Sequence, residues 1–100
     1  MAKFDVHRLR EGGGLVLDVQ ADLLDRLNTR LVVPLMPVAD APQTIARLNP
    51  VFEVEGRRVA MVTQFAAAVH VRELGDRVIS LADEQDAIGN ALDMLLVSGF

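Results

Sequence analysis

The run DVQADLLDRLNTRLVVPL, residues 18–35, decides the fold because its character changes twice along its length. Residues 15–20 are apolar and end in polar side chains, which is typical of a strand that reaches the surface. Residues 21–29 mix Asp, Asn and Thr with leucine, which predicts a structured loop. Residues 30–36 are mostly aliphatic, with a β-branched pair and a closing proline, which predicts a second strand. The run therefore predicts two strands joined by an ordered surface loop.

Two adjacent leucines, Leu23 and Leu24, lie in this loop between Asp22 and Asp25. The two carboxylates need water, so they keep the loop at the surface, and we expect both leucines to face solvent or a partner. Loops on a rigid scaffold carry function more often than packing. A leucine plug over the end of a barrel is the alternative interpretation. The aspartates themselves are more typical of turn-stabilising hydrogen bonds than of a catalytic carboxylate pair.

Short strands and turns account for most of the chain outside this run. Alternating apolar residues predict strands and two hairpins, the first turning at three consecutive glycines and the second at a Glu-Gly pair. The predicted elements are strands 3–9 and 15–20 around Gly12-Gly13-Gly14, strands 51–54 and 57–64 around Glu55-Gly56, and strands 68–73 and 77–79 around a turn at Gly75-Asp76. Residues 43–48 could form a short helical turn before Pro50. Both faces of strand 57–64 carry apolar residues, so we expect both to be buried at least in part.

The long helical signal covers residues 82–97, with Ser80 or Asp83 available as a cap. Gly89 in its middle costs about 1 kcal/mol relative to alanine, which suggests a close backbone approach or a relaxed constraint. The apolar surface of this helix is wide, and it comprises Ile88, Ala91, Leu92, Met94, Leu95 and Leu96. Such a surface suits a helix packed between a sheet and a second protomer. Together with the 51% apolar composition, it predicts a homodimer.

Composition limits the function classes. One hundred residues without cysteine are expected to form one domain lacking disulfides and thiolate chemistry, and no apolar run is long enough to cross a membrane. We expect a cytoplasmic protein. The net charge of −4 disfavours direct binding of nucleic acid and favours a partner with basic segments. The two local arginine pairs, 8/10 and 57/58, are more typical of solvated strand edges than of a nucleic-acid surface.

Catalytic and metal-binding patterns are missing from the sequence. His7 and His70 are the only histidines, they lack metal-ligand spacing, and we expect surface or edge positions for both. The glycine triplet lacks the Lys and Ser or Thr of a phosphate-binding loop. Acidic residues 83, 84 and 86 suit the start of the helix. The sequence predicts a protein that acts by binding, without a cofactor or metal and without enzymatic activity.

The run of residues 18–35 resembles the toxin family known as CcdB, the controller of cell division or death. That family shows a similar acidic-Val-Gln-small-Asp segment, two aliphatic residues and Asp, then an Arg-aliphatic-Val-aliphatic-Pro-Leu strand. The resemblance covers nearly the whole chain. It includes Phe4-Asp5-Val6, residues 51–54, Met61-Val62-Thr63, the C-terminal helix and the tail Ser98-Gly99-Phe100.

The resemblance implies a mainly β fold, an SH3-like antiparallel barrel with a C-terminal α-helix, in a homodimer. It implies a toxin of a type II toxin–antitoxin module that binds the A subunit of DNA gyrase and traps the gyrase–DNA cleavage complex. It also implies a CcdA-like antitoxin whose disordered C-terminal segment folds onto the toxin. The complex would repress its own operon, with operator DNA contacted only through the antitoxin.

The resemblance also implies site residues. The gyrase-binding positions are the tail residues Ser98, Gly99 and Phe100, where Ser98 replaces a large aromatic of the best-known member. The antitoxin-binding positions are Asp18, Leu23, Leu24 and Asp93, on a surface that overlaps the gyrase site.

Two other functions fit the sequence less well. Related SH3-like barrel toxins cleave messenger RNA, which needs a basic groove and an acid–base set, whereas this chain is acidic and its Arg and His residues are scattered. A homologue that binds antitoxin without toxicity is the other alternative, motivated by Ser98 and Gly89.

Overall fold

A curled antiparallel sheet with one C-terminal helix forms the fold. A computed structural model describes residues 2–42 and 44–97. Its strands and helix are β1 Asp5–Leu9, β2 Leu15–Asp18, β3 Thr29–Pro37, β4 Val51–Val54, β5 Arg57–Met61, β6 Ala67–His70, β7 Leu74–Ser80 and α1 Gln85–Leu96. The strand order is β4-β5-β3-β2-β1-β7, with β6 also paired to β3. This architecture confirms the predicted SH3-like barrel with a terminal helix.

Strand β3 organises the sheet because it has three neighbours. It pairs with β2 over Val32–Leu35, with β6 over its first half and with β5 over Leu35–Pro37. A nine-residue strand is long enough for two partners to follow one another along the same edge. The predicted strand–loop–strand arrangement of residues 18–35 is confirmed, and its two strands lie side by side at the centre of the sheet.

The concave face of the sheet carries the main core. Cross-strand pairs place Val6, Leu17 and Val33 on one face of the sheet. Because side chains alternate between the two faces of a strand, every second residue of β5 and β4 lies on the same face. Helix α1 covers this face with Ile88 and Ala91, both fully buried. Residues 59–62 are buried on both faces of their segment, as expected.

The second face of the sheet is also covered in part, and this corrects the prediction for His7. A smaller cluster of Val16, Val32 and Leu74 lies there. His7 pairs with Val16 across the strands, has only 4% of its surface exposed, and its Nδ1 lies 3.2 Å from the carbonyl oxygen of Gly75. The prediction of a surface or edge position was wrong for His7 because β1 is an interior strand. It is confirmed for His70, which ends β6, a strand whose one sheet partner among residues 2–42 and 44–97 is β3.

Several strand bounds differ from the sequence prediction: strand 57–64 ends at Met61 and is followed by a 3₁₀ turn over Thr63–Phe65, and the bounds of β6 and β7 differ for identifiable reasons. Gly75 lies inside β7 rather than in a turn, and a Cβ there would stand 2.6 Å from the carbonyl oxygen of Arg8, so close packing of β7 on β1 requires glycine. Strand β6 ends at His70, whose backbone N–H donates to Glu73 and whose ring accepts from the Arg72 N–H. These local hydrogen bonds take the place of further strand pairing, and residues 71–73 form a 3₁₀ turn.

The helical predictions are confirmed with shorter bounds. Residues 82–84 form a 3₁₀ turn before α1, and Ser80 Oγ accepts a hydrogen bond from the Ala82 N–H. A single turn before Pro50 is closed by the Asn49 N–H and the Ile45 carbonyl, while Gln43 lies outside the described residues. Within the described residues, no helix has the length and apolarity needed to cross a membrane.

Candidate functional site

The loop after β2 exposes three leucines. Residues 19–28 are called the leucine loop below, and Asp22–Leu24 within it form a 3₁₀ turn. Leu23 is 91% exposed, Leu24 47% and Leu27 50%. The prediction that Leu23 and Leu24 face away from the core is thereby confirmed, and the plug over the barrel end is excluded. A group of exposed apolar side chains on a defined turn is typical of a protein-binding surface.

A buried ion pair fixes the strand ends from which the loop leaves. Asp18, the last residue of β2, is 0% exposed, and Arg30 at the start of β3 is 1% exposed. The Arg30 Nε donates to Asp18 Oδ2 at 2.8 Å, while Nη2 lies 2.6 Å from the same oxygen with poorer N–H alignment. Asp18 therefore stabilises the strand end from which the loop leaves, and it is not part of the exposed surface of the loop.

Gln20 connects this ion pair to the leucines. Its backbone N–H donates to Asp18 Oδ1 at 3.0 Å. Its side-chain Oε1 accepts from the Leu31 N–H, and its Nε2 donates to the Leu24 carbonyl, both at 3.0 Å. One amide side chain thus ties the exposed turn to the backbone of β3, so the turn carrying Leu23 and Leu24 has a defined position relative to the sheet.

The N-terminal segment holds the other side of the loop. The Lys3 N–H donates to Asp22 Oδ1 at 2.8 Å, so this aspartate makes a long-range bond rather than a local turn bond. Phe4 has a φ of 74°, unusual for a bulky residue, and its backbone N–H donates to the Asp18 carbonyl at 2.7 Å. This left-handed residue brings the N-terminal segment against the same strand end that carries Asp18.

The remaining predicted residues lie on or beyond the terminal helix. Asp93 is exposed on α1, and in the described part of the chain no hydrogen bond links its side chain to the leucine loop. The last turns of the helix expose apolar side chains, with Leu96 69% and Val97 75% exposed. Ser98, Gly99 and Phe100 lie outside the described residues, so their predicted role in gyrase binding stays a prediction.

Sequence reasoning missed Gln20 and Leu27. Leu27 follows Leu24 by three residues between polar neighbours, the same signal that identified the first two leucines. Gln20 gave no such signal, because its partners are backbone groups of Leu24 and Leu31 that only the folded loop brings together. Across residues 2–42 and 44–97, no three His, Asp or Glu side chains converge in a way that could hold a metal ion. The arrangement is therefore that of a supported apolar contact surface.

Comparison with known proteins identifies the fold and the family of this chain. Among solved structures, an endoribonuclease in complex with its cognate antitoxin, from a mycobacterial species, has a TM-score of 0.79 with this chain. The match covers 100% of this chain and 98% of the other at 17% sequence identity, a level at which the likeness shows a shared fold. The family model described as CcdB protein matches residues 3–99. Because that match spans nearly the whole sequence, this chain belongs to the CcdB family.

Proposed function

We propose that this chain is the toxin of a type II toxin–antitoxin module and that it acts by binding the A subunit of DNA gyrase and trapping the cleaved DNA complex. The observation that carries the proposal is the leucine loop, which exposes Leu23 at 91% while resting on a buried ion pair. Exposing apolar side chains on a rigid support is useful for binding another protein. Membership of the CcdB family supports gyrase as that protein.

The same surface would also bind the antitoxin. Leu23, Leu24 and Asp93 would contact a disordered segment that orders on binding, and Asp18 would contribute by holding the loop. The toxin would be a cytoplasmic homodimer, with the exposed apolar end of α1 near the two-fold axis. The toxin–antitoxin complex would repress its operon through DNA contacts made by the antitoxin, and the toxin would use no cofactor and catalyse no reaction.

A plasmid cleavage assay with purified gyrase tests the proposal. The full chain should increase the linear plasmid DNA recovered after detergent and protease treatment, because trapped gyrase leaves a double-strand break. A chain ending at Val97 lacks Ser98, Gly99 and Phe100 but retains all of α1, so it should fold with little change in Tm and lose this activity. If Phe100 is an anchor, its burial contributes about 2 kcal/mol or more to the complex.

Growth inhibition gives the second measurement. The full chain should inhibit cells with sensitive gyrase and spare cells with a resistant gyrase, while the truncated chain should spare both. Equal toxicity of the two chains would refute the tail mechanism. Absence of toxicity from the full chain would favour the antitoxin-binding homologue, with Ser98→Trp as the first restoring substitution.

Ribonuclease activity is the second candidate, favoured by the fold likeness to an endoribonuclease. It would appear as cleavage of messenger RNA by the purified chain, with growth inhibition that does not depend on the gyrase allele. The absence of RNA cleavage in a preparation that traps gyrase would exclude it.

A further inference from the structure

The 3₁₀ turn of the leucine loop is held at both of its ends by groups from outside the turn. At its start, the Lys3 N–H donates to Asp22 Oδ1 at 2.8 Å. At its end, the Leu24 carbonyl accepts from Gln20 Nε2 at 3.0 Å. Leu23, the most exposed of the three loop leucines at 91%, lies between the two held residues. These two hydrogen bonds therefore tie the turn around Leu23 to the rest of the fold.

The Gln20 side chain also takes the place of a backbone group in the sheet. The Leu31 carbonyl accepts from the Val19 N–H at 3.0 Å, so the backbone groups of Leu31 face the β2 side of their strand. The Leu31 N–H, which faces the same side, donates to Gln20 Oε1 at 3.0 Å. Strand β2 has ended at Asp18 by this point, and the side-chain amide supplies the acceptor that the strand no longer provides. A single side chain thus connects the sheet to the exposed turn.

Both ends of the Gln20 amide are needed for this connection. The oxygen accepts from Leu31 and the nitrogen donates to Leu24. Glutamate has the same length but, as a carboxylate, offers no donor to the Leu24 carbonyl, and methionine offers neither donor nor a strong acceptor. The Gln20 backbone N–H, which donates to Asp18 Oδ1, remains with any of these side chains. Substitution at Gln20 therefore removes only the side-chain connection.

The core does not depend on the Gln20 connection. Residues 21–29 are all exposed, and Gln20 itself is half-buried. Neither core cluster includes a residue from 20–28. The Gln20 side chain therefore orders an exposed turn, and a turn that is ordered before binding does not have to lose that conformational freedom in the complex.

We propose that Gln20 is a positioning residue of the leucine loop, holding Leu23 and Leu24 in the arrangement that the A subunit of gyrase binds and acting through these leucines without touching gyrase itself. This inference rests on the proposed function. It assigns part of the binding affinity to a side chain whose own hydrogen bonds are all made within the chain.

Two matched peptide bonds allow opening of the loop to be measured without a partner. Trypsin cleaves after arginine, and exposed arginines precede leucine both at Arg26 in the leucine loop and at Arg47 in the connection before β4. The ratio of cleavage after Arg26 to cleavage after Arg47 in one digest of the full chain reports local opening of the leucine loop. Gln20→Met should raise this ratio about tenfold, because both side-chain hydrogen bonds are lost.

A charge-matched pair of variants provides the control. Gln20→Glu keeps an acceptor for the Leu31 N–H and loses the donor to Leu24, so it should also raise the cleavage ratio. Gln85→Glu adds the same charge at an exposed position at the start of α1. It should leave the ratio within about twofold of the native value, because the screened charge of an exposed side chain acts weakly at a distance.

The pH profile of Gln20→Glu distinguishes a lost donor from a general disturbance of the loop. An unperturbed glutamate has a pKa of about 4.3, so lowering the pH to about 4 protonates the introduced carboxyl and restores a donor for the Leu24 carbonyl. The Leu27 N–H donates to the same carbonyl at 3.2 Å. Its protection from hydrogen exchange, measured by NMR relative to the native chain at each pH, should therefore recover on acidification.

Affinity for the purified A subunit of gyrase tests the role in binding. Gln20→Met should weaken this affinity about tenfold, in line with the opening of the loop. In a chain that already carries Leu23→Ala and Leu24→Ala, the same substitution should change affinity less than about twofold, because a positioning residue has no effect once the groups it positions are gone.

Three results would overturn the inference. The first is an unchanged cleavage ratio in Gln20→Met, and the second is an opened loop with native gyrase affinity. The third is a full effect of Gln20→Met in the chain without the two leucines, which would show that Gln20 contacts gyrase directly. The proposed function fails on a separate result, the absence of gyrase binding and trapping by the native chain, and the cleavage ratio would still decide whether Gln20 holds the loop.

Discussion

The buried Asp18–Arg30 ion pair provides the most informative perturbation of this fold. Asp18→Asn removes the negative charge but keeps Oδ1, so the Gln20 N–H retains its acceptor. Arg30 then remains charged and 1% exposed without its partner. Breaking a buried pair in this way typically costs about 3–5 kcal/mol, because an uncompensated charge stays in the interior.

This loss is large relative to the stability of a small domain. Typical unfolding free energies are about 5–15 kcal/mol. At roughly 4–8 °C per kcal/mol for a domain of this size, Asp18→Asn should lower Tm by roughly 12–40 °C. The assay is thermal and urea unfolding followed by circular dichroism, at a fixed protein concentration because a dimer would make Tm depend on concentration.

The exposed Arg8–Glu55 pair provides the control for this prediction. Its 2.7 Å separation is almost the same, but its side chains are 44% and 56% exposed, so Glu55→Asn should change stability by no more than about 1 kcal/mol. Arg30→Met alone should also be destabilising. The double variant Asp18→Asn/Arg30→Met should lose much less than the sum of the two single losses, since no unpaired charge remains. A loss below about 1 kcal/mol for Asp18→Asn would show that the pair is solvated and would refute the reasoning.

Four other substitutions test three separate features. Leu24→Lys should leave Tm nearly unchanged, because the side chain is 47% exposed, and should weaken antitoxin binding measured by calorimetry; a large fall in Tm would contradict an exposed loop. Gly89→Ala should stabilise the fold by about 1 kcal/mol in urea unfolding, because its Cβ would meet no atom within 4 Å; destabilisation would indicate a close helix contact in the dimer. Leu96→Asp, at a position 69% exposed, should give a folded monomer in light scattering. Leu92→Asp should also lower Tm, because Leu92 packs against the core.

The strands and the helix could be predicted from sequence because their signals are local. The apolar periodicity of residues 15–20 and 30–36, and of the terminal helix, is visible within each segment. The hairpin turns were also predictable, because glycine readily adopts the positive φ that tight turns need. Gly12, Gly13 and Gly56 all have a positive φ in the structure. The exposure of Leu23 and Leu24 followed from the aspartates on either side.

The features that could not be predicted depend on distant partners. Asp18 looked like a surface contact at the end of a strand, but Arg30, twelve residues away, pairs with it in the interior. His7 looked exposed because a period of two predicts one buried face, whereas the second cluster covers the other. Gly75 looked like a turn residue because its sequence neighbours give no other reason for a glycine. The reason is the carbonyl oxygen of Arg8 on β1, which leaves no room for a Cβ at this position of β7.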